Sequence, residues 1–74
     1  MQTPEQVIEA YFLENRHMLI EVAAFLDRYD AAVARTGETA SPSAQMDLLR
    51  KAIDQLGGPA PAEGRAARML DLFS

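Results

Sequence analysis

The sequence predicts an all-α fold in which a long N-terminal helix packs against two shorter helices. Apolar residues recur at intervals of three and four, and no segment alternates apolar and polar residues as a strand does. Clusters of Gly and Pro divide the chain into three parts. We therefore expect one helical domain over residues 1–74, with helices at about residues 4–35, 42–56 and 61–73.

The first helix has clear start and stop signals. Thr3 is suited to cap it, Pro4 fits the first helical position, and Gln6 completes a Thr-x-x-Gln capping box. Nothing interrupts the pattern before Gly37, which is suited to a left-handed C-terminal cap. A helix of roughly 32 residues would be about 48 Å long.

The second helix follows a short loop. Ser41 or Ser43 is suited to cap it, Pro42 lies near its first turn, and Gly57-Gly58-Pro59 ends it. Its apolar positions are spaced by three and four residues: Met46, Leu49, Ile53 and Leu56.

The third helix is short and follows a segment rich in Gly, Pro and Ala, which we interpret as a hinge. It is expected to start at Pro61 or Ala62 and to dock the apolar chain end on the bundle. Its apolar positions are Ala66, Met69, Leu70 and Phe73. The hinge permits a helical hairpin with a broken second arm or a compact three-helix bundle.

Composition excludes several classes of function. The formal net charge is -4 and the seven Lys and Arg residues are scattered, so we expect no nucleic-acid binding. No apolar run approaches the ~20 residues that span a membrane, and the chain has no cysteine. The start of the sequence lacks the features of a signal peptide, so we expect a cytoplasmic protein with no membrane partner.

Most apolar residues of the first helix share one broad side, which we call the apolar face and expect to pack on the later helices. Asn15 falls near its middle, either to set the register of packing or as a tolerated polar group near a helix crossing. The apolar face consists of Val7, Ile8, Tyr11, Phe12, Met18, Leu19, Val22, Phe25, Leu26, Tyr29 and Val33.

A second apolar line lies nearly opposite the apolar face and consists of Leu13, Ile20, Ala24 and Ala31. A helix that is apolar on two sides needs two partners, and the later helices can cover only one side. We therefore expect a homodimer that forms a larger helical bundle, with an interface at Leu13, Ile20, Ala24 and Arg28. Alternatively, these are isolated surface apolar residues, which are common.

The only histidine of the chain lies between the two apolar surfaces. Glu14 precedes His17 by three residues and Glu21 follows it by four, so the three side chains are neighbours along one stripe of a helix, which continues to Arg28. Carboxylate and imidazole groups are common metal ligands. An ordinary network of surface side chains is the alternative, worth a few tenths of a kcal/mol per pair.

The pair Glu14-x-x-His17 resembles the half-motif of ferritin-like di-iron carboxylate proteins. In that family, two helices each supply a Glu-x-x-His and two others each supply a Glu inside a four-helix bundle. The resemblance implies a dimer that binds iron or another divalent transition metal through Glu14, His17 and Glu21.

The sequence points to association more than to chemistry. It contains no glycine-rich phosphate loop, no Gly-x-Ser-x-Gly and no residue that we would assign as catalytic. We expect a small acidic helical protein that acts by self-association and protein–protein interaction, without a cofactor. Two alternatives stay open, the ferritin-like metal-binding dimer and a regulator whose C-terminal helix is released on binding a protein partner.

Overall fold

The computed structural model describes residues 1–38 and 44–74, and these residues form three α-helices without any strand. The helices are α1 (Pro4–Thr36), α2 (Ala44–Gly57) and α3 (Arg65–Phe73). The chain divides into two compact units, Met1–Glu38 and Thr39–Ser74. The prediction of an all-α protein is confirmed.

Both ends of α1 are capped as the sequence predicts. The Thr3 Oγ1 accepts a hydrogen bond of 3.2 Å from the Gln6 N–H, and the Thr3 N–H donates one of 2.9 Å to the Gln6 Oε1. Gly37 is left-handed, with φ 73, and its N–H donates to the Val33 carbonyl at 2.7 Å. These caps satisfy backbone groups that a helix end leaves unpaired.

The 33-residue α1 is the only helix of its unit and contains no buried residue. A single helix presents its whole circumference outward, so nothing within this unit covers the apolar face. The expectation that this face packs on the later helices stays a prediction, as does the choice between a hairpin and a three-helix bundle.

The apolar row of α2 contains one residue that the sequence pattern misses. Met46 and Ala52 are buried, with 7% and 6% of their surface exposed, and Leu49 and Ile53 are half-buried. Leu56, expected in this row, is 50% exposed. A small side chain such as that of Ala52 does not stand out in a search for large apolar residues.

The predicted bounds of α2 were 42–56, and the observed helix is Ala44–Gly57. The predicted caps Ser41 and Ser43, and the predicted first-turn Pro42, lie outside the described residues.

The third helix begins at Arg65, later than the predicted start at Pro61 or Ala62. Gly64 has φ 93 and ψ 155, a conformation that no helix contains, and its N–H donates to the Pro61 carbonyl at 3.0 Å. This hydrogen bond closes a turn over residues 61–64, so the helix cannot start until the turn is complete.

Within the second unit, α3 packs against α2. Met69 and Leu72, three residues apart, are half-buried, whereas Leu70 is 74% and Phe73 is 49% exposed. Leu70, one of the apolar positions that the sequence predicts for this helix, lies about 100° around it from Met69 and so outside the contacting face. The C-terminal helix therefore contacts α2 with a narrower face than the sequence suggests.

We expect Gly64→Ala to destabilise the second unit by about 1–2 kcal/mol, because an L side chain is strained at positive φ. Gly57→Ala is the matched control, since Gly57 has an ordinary φ and no heavy atom lies within 4 Å of an added Cβ at either position. This control should be neutral or stabilising. Denaturant unfolding followed by circular dichroism measures both, and equal stabilities would contradict the role given to Gly64.

Glu63 precedes α3 and pairs with a residue inside it. The Arg68 Nε donates to the Glu63 Oε1 at 2.5 Å, and this hydrogen bond holds the pKa of the Glu63 carboxyl below its ordinary value. A lowered pKa means that the contact stabilises the folded unit at neutral pH and is lost as the pH falls through the lowered value. Both side chains are exposed, so solvent screens the pair.

We expect Arg68→Gln to return the pKa of Glu63 toward that of a free glutamate, because the charged donor is removed. A carboxyl-carbon NMR titration of Glu63 in the wild type and in the variant measures the shift. A Glu63 titration that Arg68→Gln leaves unchanged would rule out this contact as its cause.

Candidate interaction surface on the first helix

The N-terminal two thirds of the apolar face is exposed. Eight of its large side chains, between Val7 and Phe25, each keep between 38% and 63% of their surface open. Exposed apolar groups in such numbers on one side of a helix mark interaction sites. None of the described helices combines the length and the apolar character needed to cross a membrane.

An open depression of about 610 Å³ lies on this part of the helix. Side chains from four successive turns of α1 form it, and only two of them are polar. The lining residues are Val7, Ile8, Tyr11, Phe12, Asn15, Arg16, Leu19 and Ile20. The depression has no concentration of polar groups that would orient a small reacting molecule, as a catalytic pocket has.

Asn15 lies in this depression and its side chain is partly satisfied by its own helix. Its Nδ2 donates to the Tyr11 carbonyl at 2.8 Å, one turn earlier in α1. This bond uses one of its two amide hydrogens and leaves the side-chain oxygen open. Burying Asn15 in an apolar contact therefore costs less free energy than burying an unbonded amide. This agrees with both roles considered for it, setting the register of packing and tolerance near a helix crossing.

The second apolar line is also exposed. Leu13 is 78% and Ile20 is 48% exposed, Ala24 is half-buried, and Arg28 is exposed. These are the residues that the sequence assigns to a dimer interface, and that interface stays a prediction. Ile20 also lines the depression, so the two surfaces approach each other at that position.

The predicted metal ligands Glu14, His17 and Glu21 are all exposed on α1. None of their side chains makes a hydrogen bond or ion pair with the described residues. Within those residues of one chain, no three acidic, histidine or cysteine side chains group closely enough to hold a metal. A ferritin-like centre would draw ligands from two chains, so the metal hypothesis stays a prediction.

Sequence reasoning missed a small cavity in the second unit, about 220 Å³ in volume, between the end of α2 and the start of α3. The Arg65 Nη2 donates to the Gly58 carbonyl at 3.0 Å, and Arg68 pairs with Glu63. The Gln55 Oε1 is enclosed without a hydrogen-bond partner. Both guanidinium groups bind acceptors of the chain itself, so we assign this cavity to the stability of the turn.

Comparison of the chain with protein-family models, with curated proteins and with solved structures finds no match.

If the ferritin-like hypothesis holds, added Fe(II), Mn(II) or Zn(II) will raise the melting temperature of the wild type but not of His17→Ala. A metal present at 100 times its dissociation constant stabilises by about 2.7 kcal/mol. Arg16→Ala, an exposed neighbour outside the stripe, is the matched control and should respond as the wild type does. Identical melting of wild type and His17→Ala, with and without metal, would remove the hypothesis.

Proposed function

We propose that this protein acts by self-association and protein–protein interaction through α1. The observation that carries the proposal is the exposure of large apolar side chains along the apolar face of a helix that has no other element in its unit. Each Å² of this surface that a partner removes from water contributes about 25 cal/mol.

The length of α1 supports the same proposal. Most helical stability in proteins comes from packing an amphipathic face rather than from the intrinsic helix propensity of the residues. A helix of 33 residues with caps at both ends is well specified locally, yet its unit offers no surface to pack on. A second helix along the apolar face would supply that packing.

The polar groups of α1 agree with association rather than catalysis. The side chains that interrupt the apolar face and its edges are bonded locally, as for Asn15, or are exposed. No nucleophile with an adjacent base accompanies them. We propose the cytoplasm as the site of action, and the absence of cysteine is consistent with a reducing compartment.

Two single substitutions separate the two candidate surfaces. Val22→Glu should dissociate the oligomer if the apolar face is the contact, because a carboxylate buried there loses its hydration. Ile20→Glu should do so if the second apolar line is the contact. Sedimentation equilibrium of the full chain measures the subunit number.

Ala34→Glu is the matched control, since it adds the same charge to an exposed position of α1 that belongs to neither apolar surface. It should leave the mass unchanged. A monomeric wild type over the micromolar range would overturn self-association, and an oligomer unaffected by Val22→Glu and Ile20→Glu would overturn both surfaces.

A further inference from the structure

The apolar face contains a heptad repeat of the kind that joins two helices in a coiled coil. In such a repeat, positions a and d carry the contact and positions e and g flank it. The a positions of α1 are Ile8, Asn15, Val22 and Tyr29. The d positions are Tyr11, Met18, Phe25 and Ala32.

The g positions carry an ordered row of charge. Glu14 and Glu21 occupy the first half of the row, and Arg28 and Arg35 occupy the second half. All four side chains are exposed and none forms an ion pair with the described residues. We call these four residues the charge row.

Pairing within the helix does not explain the charge row. Residues three or four positions away are neighbours on a helix. At those distances Glu21 has no Lys or Arg, and Arg28 has no Asp or Glu. Glu21 and Arg28 therefore have no oppositely charged Lys, Arg, Asp or Glu neighbour within α1. Their side chains are available to pair with residues of another chain.

A second copy of α1 running in the opposite direction complements the charge row. In an antiparallel pair, g residues of one helix face g residues of the other, so an acidic half meets a basic half. One register brings Glu21 to Arg28 of the second copy and Glu14 to its Arg35. Four ion pairs form in total, because the two-fold axis repeats each one.

The same register also aligns the apolar positions. Val22 then faces Phe25 of the second copy, and Asn15 faces its small Ala32. On the flank opposite the charge row, Leu19 meets Leu26. The two-fold axis crosses α1 between residues 23 and 24, so residues 11 to 36 overlap over about 39 Å.

Other arrangements of two α1 helices form fewer pairs of opposite charge. A shift by one heptad places either Glu21 or Arg28 against its own copy, according to its direction, which sets like charges together. A parallel pair places each g residue against an e residue of the partner, and the e positions that flank the contact are apolar: Phe12, Leu19, Leu26 and Val33. The charges would then have no opposite partner.

We propose that α1 binds a second copy of itself as an antiparallel coiled coil, with Glu21 paired to Arg28 and Glu14 paired to Arg35 of the partner. This inference rests on the proposed self-association and adds its direction and register. It gives Glu14, Glu21 and Arg28, which the sequence left as a stripe, a role in choosing the partner.

Two double variants with identical net charge test the register. Glu21→Arg with Arg28→Glu keeps all four pairs complementary, so its dimer dissociation constant should stay within about threefold of the wild type. Glu14→Arg with Arg28→Glu makes all four pairs like-charged, and should weaken the dimer by about tenfold or more at low salt. High salt should shrink this difference.

The alternatives give different results in the same sedimentation experiment. A register shifted by one heptad predicts the reverse order, in which the first variant is the weaker dimer. A parallel pair predicts equal dissociation constants for the two variants. Either result in a dimeric wild type would overturn the proposed register while leaving self-association intact, whereas a monomeric wild type would overturn self-association itself.

A distance measurement gives an independent readout of direction. The chain has no cysteine, so Ala34→Cys, at an exposed position, introduces a unique site for a spin label. The proposed register separates the two labels by about 32 Å along the helix axes. A register shifted by one heptad gives about 42 Å or about 21 Å, according to the direction of the shift, and a parallel pair gives less than about 20 Å. Any of these distances would overturn the proposal.

Discussion

A helix cannot cover its own apolar face, and this constraint governs the first unit of the protein. The local signals for α1 are complete, with a capping box at Thr3 and a left-handed glycine at its end. These signals determine where the helix begins and ends, but they bury nothing. The free energy available from the apolar face is released only when another surface meets it. The proposed association of α1 rests on this constraint.

In the second unit, the apolar residues of α2 and α3 cover one another. The turn at Gly64 brings α3 back onto α2. Met46 and Ala52 are buried, and five further apolar residues of the two helices are half-buried: Leu48, Leu49, Ile53, Met69 and Leu72. Two short helices still make a small core. Chains of this size gain a limited hydrophobic stabilisation. A protein built in this way gains stability from any partner that binds its folded form.

The stripe between the two apolar surfaces has two proposed uses. A carboxylate has about four lone-pair sites, so binding a metal and pairing with an arginine compete for its oxygens without excluding each other. Glu14 and Glu21 would be ligands in the ferritin-like hypothesis and ion-pair partners in the proposed coiled coil. Only the ferritin-like hypothesis gives His17 a role, and only the coiled coil gives Arg28 and Arg35 a role. The two proposals therefore assign different residues and fail independently.

The sequence by itself determined the helical class, both ends of α1 and the residues of the apolar face, because caps, glycine conformation and helical periodicity are local properties. It also determined the order of charge along α1, from which the antiparallel pairing is inferred. Only the tertiary structure decided that α3 begins at Arg65, that Ala52 is buried and Leu72 half-buried, and that Leu56 and Leu70 are exposed. These features depend on the Pro61–Gly64 turn and on the approach of α2 to α3. Contacts between residues far apart in the chain leave no periodic signal in the sequence.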